Sequence, residues 1–304
     1  GIWGDFDVKI TMNSDYIIGG TGYLVNGKTE IGYGYEGTLM KPLTKTKKLT
    51  WHYVAKNVPD FVWAADRDYI HTEYKVPGQK LTLHFFYQKD EEILENWEKL
   101  PRVMAEVFAF VQPKYGKYGY EHYSFIQGGD GGMEYPMATL ITGNRGFSSL
   151  VGVSVHELMH SWYQMMLGTN ESLYSWMDEV FTSYASSIVM NYLRAENYVD
   201  GEAVENPHAG TYAGYVNFSQ SGRDEALSIH SDHFQTSSAY SVAAYVKGSV
   251  FLNQLEYIIG KSNFDKGMLL YHEKWAYKHP NANDFIRIME TVSAMLKHYK
   301  KLLP

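Results

Sequence analysis

Apolar and polar residues alternate in several short runs in the first third of the chain. Asp7–Thr11, Lys48–Val54 and Leu81–Tyr87 all show this pattern. A period of two is typical of strands with one buried face. Asn26-Gly27, which follows an apolar run, predicts a two-residue hairpin turn. Residues 1–66 are therefore predicted to be β-rich.

The spacing changes after Lys89, where apolar residues recur every three or four positions, as on the buried face of a helix. The first predicted helix runs from Glu91 to about Val111, with a bend at Pro101. Further helices are predicted at Val151–Met166 (ended by Gly168), Leu173–Leu193, Val250–Ile259, Met268–Tyr277 and Phe285–Leu296, the last with Asp284 as its N-cap. Tyr123–Ile126 is predicted as a strand and Glu196–Ser238 as a loop. The fold class is therefore α+β.

Composition narrows the class of protein further. The chain has 304 residues, 45% of them hydrophobic, with a formal net charge of −7 and no cysteine. The hydrophobic content and the negative charge predict a globular fold that binds neither nucleic acid nor membranes. The lack of cysteine excludes disulfides and cysteine chemistry. The compartment is left open, with a secreted or periplasmic location favoured over a cytoplasmic one.

One predicted helix contains His156-Glu157-Leu158-Met159-His160. A separation of four residues is close to one helical turn, so both imidazoles leave the same face and can bind one metal ion. Glu157 is offset from His156 by about 100° around the helix, beside the position of a metal-bound water. The motif predicts a metal-binding pair and a general base.

A catalytic zinc ion with two histidines needs a third protein ligand. Glu179 lies at the margin of the apolar face of the next predicted helix, where a carboxylate is costly unless it is paired. His156, His160 and Glu179 are therefore the predicted ligands. The alternative is that the two histidines and the glutamate of the motif, His156, Glu157 and His160, are core polar residues that satisfy one another.

Three motifs resemble those of the aminopeptidase N and leukotriene hydrolase family of zinc peptidases. His156 to Glu179 matches His-Glu-x-x-His, eighteen residues, then Glu. Gly131-Gly132-Met133-Glu134-Tyr135 is similar to Gly-x-Met-Glu-Asn, and Tyr245-Val246-Lys247-Gly248 is similar to Tyr-x-Lys-Gly. The likeness runs from about Trp51 to Glu290. Tyr135 and Val180 depart from the Asn and Gly usual at their positions.

The resemblance implies a thermolysin-like catalytic domain over residues 67–304, with residues 1–66 as the tail of an N-terminal sheet domain. It also implies one zinc ion, peptide substrates with a free N-terminus, and N- and C-terminal domains missing from this chain.

The resemblance assigns roles to single residues as well. Glu157 is the general base, and Tyr245 donates a hydrogen bond to the oxyanion. Glu134 pairs with the substrate's α-ammonium group. The other residues implied to bind substrate are Gly131, Gly132, Met133 and Tyr240.

The implied function is hydrolysis of N-terminal residues from peptides. A thermolysin-like endopeptidase, an epoxide-hydrolysing relative and a catalytically weak metal-binding scaffold or interaction module remain as alternatives. His230 and His233 form either a second metal site or a solvated loop.

Overall fold

The computed structural model describes residues 2–33, 47–129 and 131–293. The chain divides into two compact units. The first comprises Gly1–Ala109 and Tyr118–Ser161, and the second comprises Phe110–Lys117 and Trp162–Pro304. The domain boundary expected after residue 66 stays a prediction.

The first unit contains the described strands of the protein, arranged in three sheets. They are β1 (Gly4–Asn13), β2 (Ile17–Gly20), β3 (Tyr23–Leu24), β4 (Lys48–Val58), β5 (Trp63–Asp66), β6 (Tyr69–Lys75), β7 (Thr82–Gln88), β8 (His122–Gly128), β9 (Gly132–Tyr135) and β10 (Ala138–Thr142). The sheet orders are β1-β4-β3, β2-β5 and β6-β7-β8-β10-β9. In the five-stranded sheet, β7, β8 and β10 are parallel neighbours, whereas β6 and β9 pair antiparallel at its edges. The predicted strands are confirmed.

The hairpin predicted at Asn26-Gly27 is wrong. Residues Gly27–Ile31 form a π-helical turn instead, and β3 pairs with the distant strand β4. The side chain of Asn26 accounts for the difference. Its Oδ1 accepts from the His52 amide at 3.1 Å and its Nδ2 donates to the Thr50 carbonyl at 2.8 Å, so the turn is fixed to β4.

Two helices accompany these sheets, α1 (Leu94–Tyr115) and α2 (Phe147–His160). α1 passes Pro101 without ending, and its residues up to Ala109 belong to the first unit. α2 packs on β9 and β10. Buried aromatic rings form much of the core, including Phe85 and Phe125, which stack at 5.1 Å.

The second unit is helical in its described residues. Its helices are α3 (Ser175–Ala195), α4 (Ala209–Ser219), α5 (Ser237–Ser241), α6 (Gly248–Ile259), α7 (Lys261–Trp275) and α8 (Ala282–Val292). π-helical turns occur at Ser161–Met166 and Val242–Lys247. α3 packs against α6 and the second π-helical turn. Phe181 of α3 is fully buried, edge-on to Phe285 of α8 with the ring centroids 4.8 Å apart.

Two helix predictions need correction. The loop expected over Glu196–Ser238 contains α4, whose residues are all at least partly exposed, so no apolar stripe marks this helix in the sequence. The N-cap of α8 is Asn281 rather than Asp284. Asp284 is the third residue of the helix and completes a capping box by accepting from the Asn281 amide at 3.0 Å. The predicted end of this helix at Leu296 lies outside the described residues.

Across the ranges that the structure describes, no helix combines the length and apolarity that crossing a membrane requires.

Candidate metal centre

The histidine pair lies at the end of α2. The Nε2 atoms of His156 and His160 are 3.3 Å apart, and the two rings are nearly perpendicular. Two nitrogens bound tetrahedrally to one zinc ion at 2.0–2.1 Å are separated by about 3.4 Å. The pair therefore has the spacing of two ligands of a single zinc ion.

Packing holds these two side chains on one face of α2. Val155, Leu158 and Met159 are fully buried, and His160 is buried beside them. α2 continues directly into the π-helical turn Ser161–Met166. Such turns often occur where a helix carries functional residues.

Glu157 is buried and lies directly against the backbone of β9. A Cβ atom at Gly132 would come within 2.2 Å of Oε1 of Glu157 and 2.8 Å of Cγ2 of Val153. No side chain fits there without displacing the carboxylate. Gly131 serves a different need, because its φ of 40° lies in the left-handed region that favours glycine.

Glu134 lies two residues beyond Gly132 on the edge strand β9. Side chains on a strand alternate between faces, so Glu134 leaves the strand on the side that faces Glu157. Glu134 is only 9% exposed, whereas its neighbour Met133, on the other face, is 46% exposed. The first unit thus assembles His156, His160, Glu157, Gly132 and Glu134 around the end of α2.

Tyr123 belongs to this group as well, although no sequence motif marks it. Its hydroxyl donates to the Glu157 carbonyl at 3.4 Å. Burial, followed by the nearby carboxylate of Glu157, raises the pKa of Tyr123 well above its usual value. Tyr123 therefore stays protonated beneath the two carboxylates. The contact of Tyr123 with Glu157 follows from the position of β8 inside the sheet, which the sequence does not show.

In the second unit, Glu179 lies on α3 and is half-buried. The hydroxyl of Tyr245 donates to Oε1 of Glu179 at 2.6 Å. Burial and this hydrogen bond raise the pKa of Tyr245 above its usual value. The structure therefore joins Glu179 to Tyr245 and, separately, His156 to His160. The convergence of Glu179 with the histidine pair stays a prediction.

The Lys-Gly part of the third motif has a packing explanation. A Cβ at Gly248 would come within 2.2 Å of Cγ2 of Val180, the residue after Glu179. Nζ of Lys247 donates to Oδ2 of Asp224 at 2.9 Å and to the Glu225 carbonyl at 2.7 Å. Lys247 and Gly248 thus fix the segment that carries Tyr245.

Tyr240 lies in α5, edge-on to Phe234. His230 and His233 have ring centroids 5.0 Å apart. Within the described ranges, no third His, Cys, Asp or Glu joins these two in a metal-binding group. His230 Nδ1 instead accepts from the Asp232 amide.

Comparison with known proteins identifies the family. Residues 109–302, more than half of the chain, match the peptidase family M1 domain. The chain therefore belongs to peptidase family M1, and the resemblance described above is confirmed.

Curated relatives and solved structures agree with this assignment. Leucine aminopeptidase 2 of Chaetomium globosum is 29% identical over 168 residues, which cover 51% of this chain and 26% of that protein. Aminopeptidase B of Mus musculus is 26% identical over 203 residues, which cover 62% of this chain and 30% of that protein. The M1 zinc metallopeptidase from Deinococcus radiodurans has the same fold, with a TM-score of 0.70 at 15% identity over 95% of this chain and 61% of that one.

The chain spans about a quarter of the length of the first of these relatives. The α+β fold class predicted from the sequence is confirmed.

Proposed function

We propose that this chain is the catalytic region of a zinc aminopeptidase that hydrolyses N-terminal residues from peptides. The spacing of the His156 and His160 nitrogens, 3.3 Å, is the observation that carries the proposal. Family membership supports it, and relatives in the family are named leucine aminopeptidase and aminopeptidase B.

His156, His160 and Glu179 are the proposed ligands of one zinc ion. Two imidazoles and a carboxylate are a common ligand set of catalytic zinc sites in peptidases. The zinc ion, when bound, supplies Lewis acidity that makes a water nucleophilic and polarises the peptide carbonyl. Tyr245 supports Glu179 as a ligand, because its hydrogen bond holds the carboxylate in one orientation.

Glu157 acts as the general base in this proposal. It takes a proton from the attacking water and returns it to the leaving amine. Gly132 supports this role, since any side chain at this position of β9 would displace the carboxylate. As negative charge develops on the carbonyl oxygen, the single hydroxyl proton of Tyr245 turns from Glu179 to that oxygen and donates a hydrogen bond to it.

Glu134 is proposed to bind the free α-ammonium group of the substrate, and Gly131, Gly132, Met133 and Tyr240 are proposed to contact the substrate nearby. An anion fixed on β9 selects chain ends over chain interiors, because only a terminal residue carries the cation that pairs with it. This separates the proposal from an endopeptidase, for which a buried carboxylate at position 134 has no evident use.

The test is hydrolysis of an amino-acid arylamide and of its N-acetylated form by the full chain loaded with zinc. We expect turnover of the free amine only. Glu134→Gln should raise KM for the free amine by about 10- to 100-fold, the effect of losing one charge-assisted hydrogen bond. Glu95→Gln, which removes an exposed carboxylate from α1, is the matched control.

Equal turnover of the acetylated substrate would favour the endopeptidase. Zinc binding without turnover of either substrate would favour the metal-binding scaffold.

A further inference from the structure

Three histidines form a hydrogen-bonded line across β6, β7 and β8 of the first unit. Nε2 of His71 lies 3.1 Å from Nδ1 of His84, and Nε2 of His84 lies 2.9 Å from Nδ1 of His122. The rings of neighbouring members stack, at 5.4 Å and 5.2 Å between centroids. None of these residues belongs to the motifs described above.

Strand register explains how residues so far apart in sequence meet. Glu73 of β6 is opposite His84 of β7, so His71 is the diagonal neighbour of His84 on the same face. His122 of β8 is opposite Thr82 and is likewise diagonal to His84. The pleat therefore directs these three imidazoles and the Glu73 carboxylate to one side of the sheet.

Glu73 completes a group with the geometry of metal ligands. Its Oε1 lies 3.7 Å from Nδ1 of His84. One ligand atom from each of His71, Glu73 and His84 falls within 4.8 Å of the other two. Ligand atoms on one tetrahedral zinc ion lie about 3.4 Å apart, so small movements bring all three into coordinating range.

His122 fixes the ring of His84 in the orientation that metal binding needs. When Nε2 of His84 donates to Nδ1 of His122, Nδ1 of His84 presents a lone pair toward His71 and Glu73. Metal-ligating histidines almost always donate the hydrogen of their second nitrogen to an acceptor that fixes the ring, and Nδ1 of His122 serves as that acceptor here.

The group is largely shielded from solvent. His71 is buried, and the side chains of Glu73 and His84 are only 10% and 15% exposed. A carboxylate and two imidazoles so close together are a donor set that suits a divalent transition-metal ion.

A cavity of about 130 Å³ lies beside the group and is lined by Glu73, His84 and His122. It leaves space beside the group for a fourth ligand. Lys28 and Lys75 also line the cavity. Both side chains are exposed, so solvent screens their repulsion of a cation.

We propose that His71, Glu73 and His84 bind a divalent transition-metal ion such as Zn²⁺, with His122 as the residue that positions His84. This site is separate from the proposed zinc ligands on α2 and α3. Its ion would tie β6 to β7 and stabilise the first unit.

The test is zinc binding to the full chain, measured by equilibrium dialysis with elemental analysis. The double variant His156→Ala/His160→Ala removes the histidine pair on α2 and isolates the second site. We expect this variant to bind one zinc ion per chain. Adding His71→Phe should weaken that binding at least tenfold, because one ligand is lost while the ring still stacks on Phe86 at 4.5 Å. His122→Ala should weaken it by about 10- to 100-fold through the orientation of His84.

If His71→Phe does not fold, Glu73→Gln replaces it as the ligand-deletion variant, because glutamine keeps the shape of the side chain. Glu73→Gln should also weaken zinc binding at least tenfold. His233→Gln removes an exposed histidine and should leave binding unchanged. Absence of zinc from the double variant, or equal losses in His233→Gln and His71→Phe, would overturn the proposal. The difference in zinc content between the wild type and His156→Ala/His160→Ala reports only on the proposed peptidase site. The proposed function and the second metal site can therefore fail independently of each other.

Discussion

Gly132 and Glu157 are in such close contact that a single methyl group between them would come within 2.2 Å of the carboxylate. The strand that carries Glu134 and the helix that carries the histidine pair therefore meet at a position where only glycine fits. A side chain at position 132 would therefore displace Glu157, the proposed general base.

Gly132→Ala is expected to move the Glu157 carboxylate while leaving the histidine pair intact. Turnover of an amino-acid arylamide should fall by about 10²- to 10⁴-fold, the usual contribution of a positioned general base. Zinc content should stay at the wild-type value. Both quantities are measured on the same preparation.

Gly129→Ala is the matched control, because no atom lies within 4 Å of a Cβ at Gly129. Its turnover should equal that of the wild type. Full activity in Gly132→Ala would show that the contact with Glu157 does not matter for catalysis.

The contact between Gly248 and Val180 leads to a prediction about stability. Gly248→Ala would place a methyl group 2.2 Å from Cγ2 of Val180. Overpacking of this kind lowers the free energy of unfolding by about 1–3 kcal/mol. Urea unfolding should show this loss, and Val180→Ala added in the same chain should restore most of it.

Gly210→Ala in α4 is the control, since its Cβ would meet open space. It should be neutral or stabilise by up to about 1 kcal/mol, the helix propensity of alanine over glycine. If the losses in unfolding free energy of Gly248→Ala and Val180→Ala simply added in the double variant, the two residues would not be in direct contact.

Periodicity predicted most of the fold, because buried faces repeat every two residues in strands and every 3.6 in helices. It failed where other contacts decide the structure. The Asn26 side chain bonds to β4 and converts an expected hairpin into a π-helical turn. α4 has no buried face, so no periodic signal exists for it.

The sequence predicted those parts of the candidate site whose residues lie close together along the chain. His156 and His160 are one helical turn apart, and this spacing is a local property. The contacts of Gly132 with Glu157 and of Tyr123 with the Glu157 carbonyl depend on how strands order within a sheet. The line from His71 to His122 depends on register between three strands, which no local pattern encodes.

Lys247 is expected to hold the segment around Asp224 in place. Lys247→Met keeps the apolar stem but removes the bonds to Asp224 and the Glu225 carbonyl. Tryptic cleavage after Arg223 should become about fivefold faster, as expected for a loss of about 1 kcal/mol in local stability. Mass spectrometry of the fragments measures the rate at this bond.

Lys261→Met is the control for this experiment, because it breaks an exposed ion pair with Asp265 elsewhere in the same unit. Cleavage after Arg223 should keep its wild-type rate. The anchoring role of Lys247 would be refuted by equal rates in all three proteins.

His208 predicts a dependence of stability on pH. Burial lowers its pKa from 6.5 to about 4. Between these values the unfolded chain binds a proton that the folded chain does not, so the free energy of unfolding falls as the pH decreases. The contribution of this residue is up to about 1.4 kcal/mol per pH unit. Below pH 4 it levels off, because both states are then protonated.

His208→Phe should remove this contribution and make the free energy of unfolding less dependent on pH between 6.5 and 4. The substitution keeps the ring stacked on Tyr184 at 4.5 Å. Nδ1 of His208 is buried and makes no hydrogen bond within the described residues. His233→Gln, at an exposed position, should leave the slope as it is in the wild type. An unchanged slope in His208→Phe would contradict the assignment.

The most direct test of the account measures zinc content and arylamide turnover together in Glu157→Gln and Glu179→Gln. Glu157→Gln should keep the wild-type zinc content and lose turnover by about 10²- to 10⁴-fold, because the base is removed and the ligands remain. Glu179→Gln should bind one zinc ion fewer per chain and be inactive. Wild-type turnover in Glu157→Gln, or a full zinc complement in Glu179→Gln, would contradict the proposed site.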